Sequence, residues 1–136
     1  MKIVVIILAF AGTMLSQWYG NFSGKLPVKG SFLGFAYDSV FVRAFVTQLE
    51  YIWVLILINV CFTLLFQLGF QAFKDSFLSL SIIWLAMGPI SALIFTTLVL
   101  KEKVNFVAIA GLLLVVIGSV LVIAQKEILQ LIKKYL

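Results

Sequence analysis

Asn59, Thr63 and Gln67 are the residues whose types and spacing could do chemistry together. Each carries a hydrogen-bonding side chain, and a repeat of four places all three along one face of an α-helix. They stand inside an uncharged apolar stretch, residues 51–73, where a polar group is costly unless it is paired. Such a stripe either contacts a solute in a chamber or serves as hydrogen-bonded glue between helices, which is ordinary in membrane bundles. Covalent chemistry is a poor fit. With no histidine, one cysteine and five acids, the chain lacks the carboxylate pair, histidine or Cys/His cluster that acid–base or metal work requires. An enzyme is not expected, nor a metal or other cofactor. Cys61, alone in an apolar run, can form no disulfide within the chain.

Gly88–Pro89 is the second feature with mechanical content. Proline removes a backbone donor and bends a helix, and a membrane tolerates this where neighbouring groups or a cavity satisfy the freed carbonyl. The pair reads as a hinge that switches access between the two sides, or as a fixed kink that improves packing. Trp84 precedes Gly88 by one helical turn and is the aromatic expected to line a chamber. Trp18, Tyr19, Tyr51 and Trp53 stand near the ends of apolar runs and suit interfacial belts. Further along, Ala108, Gly111, Gly118 and Ser119 lie near one face of the last run, where small residues let another helix approach closely. Spacing alone leaves open whether that helix belongs to the same chain or to a second copy.

The elements that must position these residues follow from hydropathy. Of the chain's residues 64% are hydrophobic and 11% charged, against about 25% charged in soluble domains. About 20 apolar residues cross the hydrocarbon core of a bilayer. Four stretches approach that length: residues 3–20, 51–73, 76–100 and 104–124, bracketed by Lys2, Glu50, Lys74–Asp75, Lys101–Glu102–Lys103 and Lys126–Glu127. The expected fold is all-α, an integral membrane four-helix bundle forming one membrane domain over residues 1–136. Ala9–Phe10–Ala11 after a short apolar run also resembles a secretory cleavage site, but apolar character continues through Gly12, Thr13, Met14 and Leu15, so the segment is expected to be retained.

Two amphipathic segments accompany the spans. The connection between the first two begins with turn formers, Asn21, Gly24, Pro27, Gly30 and Gly34. Residues 35–49 then mix apolar residues with Asp38, Arg43 and Gln48, as a helix lying in the interface would. In the tail, residues 125–136, Ile128, Leu129, Ile132, Tyr135 and Leu136 recur at helical spacing opposite Lys126, Lys133 and Lys134, so a surface helix with its lysines toward headgroups is expected. The net charge of +5 is dispersed at segment edges, which suits membrane lipid and not nucleic acid. With four spans, five Lys or Arg fall on each side. Orientation follows an imbalance of these residues, so a tie leaves it open and is compatible with two copies paired antiparallel.

The last third carries a resemblance. Trp84–Leu85–Ala86–Met87–Gly88, Leu100–Lys101–Glu102–Lys103 and Gly111–Leu112–Leu113–Leu114–Val115–Val116–Ile117–Gly118 resemble the third and fourth helices of the small multidrug resistance family, within the drug/metabolite transporter superfamily. The resemblance implies that Trp84 lines the binding chamber, Gly88 sits at the hinge, and Gly111 and Gly118 mark a dimer-contact helix. The first span departs from that pattern, having no glutamate, and the first connection is longer than the family's. Proton antiport through a first-helix glutamate is therefore not expected. Acid-free relatives include paired subunits that flip a lipid-linked sugar. The expected function is movement of a small or lipid-linked solute by alternating access, as a homo- or heterodimer in a bacterial or archaeal plasma membrane. The alternative is a non-transporting subunit that holds a partner protein.

Overall fold

The computed structural model describes residues 1–73, 76–124, 128–130 and 132–133. Its elements run α1 Lys2–Gly24, β1 Lys29–Phe32, β2 Phe35–Asp38, α2 Val40–Glu50, α3 Ile52–Ala72, α4 Phe77–Ile94 with a wider π-helical continuation Phe95–Val99, and α5 Phe106–Ile123. Three helices are long and apolar enough to cross a membrane: Lys2–Gly24, Ile52–Ala72 and Phe77–Val99; Phe106–Val122 is apolar but shorter. In lipid every backbone group must be satisfied internally, which a helix does within itself. Side chains finish two of the helix starts. Ser76 Oγ accepts from the Ser79 amide at 3.3 Å, and Asn105 Oδ1 accepts from the Ala108 amide at 2.8 Å, each satisfying a donor that the first turn leaves open.

α1 is the organising element, packing against both α3 and α4. Val5 and Ala9 of α1 share a buried cluster with Leu65 of α3 and with Leu80 and Ile83 of α4. Toward its other end Tyr19 packs with Val54 and Ile58 of α3. α3 and α4 also meet near the connection that joins them. Gly69 lies so close there that a Cβ would collide with the buried Leu80 side chain. α5 packs chiefly on α4 and has no fully buried side chain among its described residues. Neighbour relations therefore run α3 to α1 to α4 to α5. Large apolar side chains such as Ile3, Ile56, Leu85 and Leu114 remain exposed on all four long helices. In water so extensive an apolar surface would drive association; facing lipid tails, it is matched to its solvent.

One expectation needs correction and two others gain detail. α1 continues past residue 20 to Gly24, because polar residues near a membrane surface end a span without ending the helix. Residues 35–49 are not one helix: β2 takes Phe35–Asp38 and pairs antiparallel with β1, Lys29 opposite Asp38 and Phe32 opposite Phe35, and α2 starts only at Val40. The hairpin turns through Leu33 at φ 52° and Gly34 at φ 86°. Two successive positive φ values match the strand twist, and the left-handed conformation costs a leucine roughly 1–2 kcal/mol. Lastly, α4 carries Pro89 inside its α-helical run, Phe77–Ile94. A π-helical irregularity follows at Phe95–Val99, where the Leu100 amide donates to the Phe95 carbonyl at 3.1 Å and Thr97 Oγ1 donates to the Leu93 carbonyl at 2.7 Å. π-helix is rare and occurs mostly as single turns inside α-helices. Lys74–Asp75 and most of the expected tail helix fall outside the described residues; 128–130 and 132–133 are helical.

Candidate functional site

A cleft of about 450 Å³ opens where α1 crosses α4. α1 supplies Thr13, Ser16 and Gln17 to it, α3 supplies Phe62, and α4 supplies Trp84, Gly88 and Pro89. Trp84 stands edge-on to Phe62 with ring centroids 6.0 Å apart, an arrangement aromatic pairs favour. Thr13 Oγ1 donates to the Ala9 carbonyl at 2.8 Å, and Ser16 Oγ donates to the Gly12 carbonyl at 2.8 Å. With their hydrogens engaged inside the helix, both hydroxyls retain lone pairs that can accept. Gln17 adds an amide that both donates and accepts. One wall thus accepts hydrogen bonds and the other is aromatic, an arrangement suited to an amphiphilic solute.

The structure does not bring the polar stripe of α3 to this cleft. Asn59, Thr63 and Gln67 are exposed on a different face of α3 from the buried Val54, Ile58 and Leu65. Asn59 Nδ2 donates to the Leu55 carbonyl of its own helix at 2.9 Å. Trp84 is therefore grouped with α1 hydroxyls and not with Asn59, Thr63 and Gln67. Thr13 and Ser16 were missed in the sequence; their one-turn spacing with Gln17 was the available signal, masked by the uncharged apolar run around hydroxyls that bond back to their own helix.

The small residues of α5 leave space instead of filling it. Ala108 and Gly111 line a recess against Pro89, Ala92 and Leu93 of α4. Ser119 lines another with Lys2 and Ile6 of α1 and Met87 of α4, and its hydroxyl donates to the Val115 carbonyl at 2.7 Å. A Cβ added at Gly88, Gly111 or Gly118 would meet nothing within 4 Å.

Comparison with known proteins finds no match. No protein-family model, curated protein or solved structure matches the chain.

A third recess, about 290 Å³, lies where the end of α1 meets α2, lined by Tyr19, Ser23 and Gly24 and by Arg43, Thr47 and Gln48. The Arg43 guanidinium donates through Nη1 to the Tyr37 hydroxyl of β2, and the same Nη1 lies 3.7 Å from Glu50 Oε2. The Tyr37 hydrogen bond, with the nearby Glu50 carboxylate adding to it, raises the guanidinium pKa above its ordinary value against a smaller opposing effect of burial, so Arg43 stays charged. Around the recess runs an aromatic network: Trp18 stacks on Phe22 at 5.8 Å, and Phe22 meets Tyr51 edge-on at 4.9 Å. Such a group suits the headgroup level of a bilayer.

Proposed function

We propose that the chain is a four-span membrane protein that moves a small or lipid-linked solute through the cleft between α1 and α4. α5 is its fourth span: 18 residues rise about 27 Å, close to the ~30 Å of the hydrocarbon core. The carrying observation is the cleft itself, with Thr13, Ser16 and Gln17 facing Trp84 at Gly88–Pro89. Movement comes from α4 shifting against α1 where Pro89 leaves a carbonyl unbonded and Gly88 presents no side chain to a neighbour. The α1–α4 contact near the cleft then opens alternately to either side. The protein works as a dimer, homo- or heteromeric, and its coupling does not run through a first-helix glutamate, because α1 contains none. A prokaryotic plasma membrane is the setting this reading implies.

The test is uptake by proteoliposomes of a panel of fluorescent organic cations and of headgroup-labelled lipids, for the native chain and for Trp84→Ala. Movement of at least one probe by the native chain, lost in the variant while insertion is retained, supports the reading. Movement of none, or movement indifferent to Trp84→Ala, sinks it. The exposed hairpin, with Leu33 and Phe35 at its tip, favours a second reading, a subunit that holds a partner protein. In that case changes within Val40–Glu50 or the hairpin remove partner binding while Trp84→Ala does not.

A further inference from the structure

Two buried polar groups in the recess between α1 and α2 lack a partner. Tyr19 is 9% exposed, and its hydroxyl has no hydrogen-bond partner among the described residues; Arg43 Nε is likewise buried and unpaired. A buried donor left unsatisfied costs about 1–3 kcal/mol, so the two together mark an incomplete arrangement. Both residues line the same cavity, together with Ser23, Thr47 and Gln48. Both contacts of the Arg43 guanidinium run through Nη1. The opposite edge, Nε with Nη2, is the fork that receives a phosphate or carboxylate in bidentate fashion.

Sign and depth narrow the ligand. The guanidinium is permanently charged, and Lys25 stands in the sequence between two residues that line the recess, Gly24 and Leu26. The Glu50 carboxylate lies 3.7 Å from Nη1, beyond ordinary hydrogen-bond reach, with a third of its side chain open to solvent. Its opposition is therefore weakened by screening. α2 exposes Phe41 and Phe45, side chains that settle in the acyl boundary when a helix lies along a membrane. Arg43 on the same helix is then held at headgroup level.

We infer that the recess between α1 and α2 is an anion site that binds one phosphate group, of the kind a phospholipid headgroup carries, between the Arg43 guanidinium fork and the Tyr19 hydroxyl. The site does not depend on solute movement through the Trp84 cleft, only on the protein lying in a membrane. Its role is to seat a lipid phosphate at the joint between the first span and the interfacial helix. Binding supplies acceptors to two donors that otherwise have none.

The test uses the full chain in phosphatidylcholine nanodiscs doped with phosphatidic acid, counting retained lipids by native mass spectrometry. A parallel thermal-shift series uses inorganic phosphate on detergent-solubilised protein. The native chain is expected to retain one phosphatidic acid in preference to phosphatidylcholine. Tyr19→Phe is expected to weaken retention about tenfold and Arg43→Gln by more, as hydrogen bonds to a charged group contribute 1.5–3 kcal/mol each. Tyr19→Phe removes a single oxygen and keeps the ring packed on Val54, so it remains informative if Arg43→Gln fails to fold. Retention of the lipid with no response to free phosphate identifies a headgroup as the source. A response to free phosphate that Tyr19→Phe also weakens, without lipid preference, supports the same chemistry with a soluble source. Equal retention of phosphatidic acid by the native chain and Tyr19→Phe, with no phosphate response in either, overturns the inference.

Discussion

Trp84 and Asn59 are both polar-tipped or amphipathic residues inside apolar runs, yet their surroundings assign them different weights. Trp84 has a wall of hydroxyls opposite and Phe62 against its edge. Asn59 is exposed and engaged with its own backbone. Asn59→Leu is therefore expected to change stability by no more than about 0.5 kcal/mol, as surface changes usually do. It should leave probe movement intact where Trp84→Ala abolishes it; the two variants compared in one proteoliposome assay check this. Equal loss in both would return the α3 stripe to the solute path, with a second copy covering it. Arg43 supports a further expectation. Its folded pKa is raised, so whatever stability it contributes is complete below the ordinary, already strongly basic, guanidinium value and is lost only as pH rises through the still higher folded one. Protection of the hairpin amides from hydrogen exchange, corrected for the intrinsic rate, is thus expected to show no Arg43-dependent change between about pH 5 and pH 9. A titration in that window that Arg43→Gln removes would contradict it.

At the scale of elements, Gly69 is the glycine that packing requires. Leu80 is fully buried against the position a Cβ would take, so it cannot swing away freely. Gly69→Ala is expected to destabilise the chain by about 1–3 kcal/mol through overpacking, read as a lower unfolding midpoint in detergent, whereas Gly111→Ala is expected to be near neutral within one chain. Neither rank was legible in the sequence, where Gly111 and Gly118 stand in the more suggestive pattern; which glycine touches a neighbour depends on how helices rotate, and every face of these helices is apolar. The extents of two long apolar helices were legible because charges bracket the apolar runs: Ile52–Ala72 falls within 51–73, and Phe77–Val99 within 76–100. The hairpin was not. Its turn is Leu33–Gly34, without the Asn–Gly or Asp–Gly signature, and the alternation in Phe35–Asp38 is too short to outweigh the helical pattern that follows. The Arg43 recess was hidden too, since it forms only where the fold brings the end of α1 against α2.

At the scale of the whole molecule, α5 is the least integrated element. It packs chiefly on α4, and Gly111 and Gly118 face open space. Lipid tails supply no hydrophobic drive between helices, so a second chain would be drawn to this surface by close van der Waals approach across small residues. Gly118→Leu is a suitable probe, because a Cβ at that position meets nothing within 4 Å among the described residues of its own chain. In a bilayer, energy transfer between labelled copies is expected to show self-association that Gly118→Leu weakens about tenfold or more, since one obstructed packing contact exceeds 1.4 kcal/mol, while the unfolding midpoint of the chain stays unchanged. Reporters fused after Leu136 then give the orientation of the pair. Activity on both sides of the membrane fits the even division of Lys and Arg and makes the pair antiparallel, with the two Trp84 clefts related by an axis in the membrane plane. Activity on the cytoplasmic side alone makes it parallel. Association indifferent to Gly118→Leu leaves α5 facing lipid, and the cleft between α1 and α4 must then operate within a single chain.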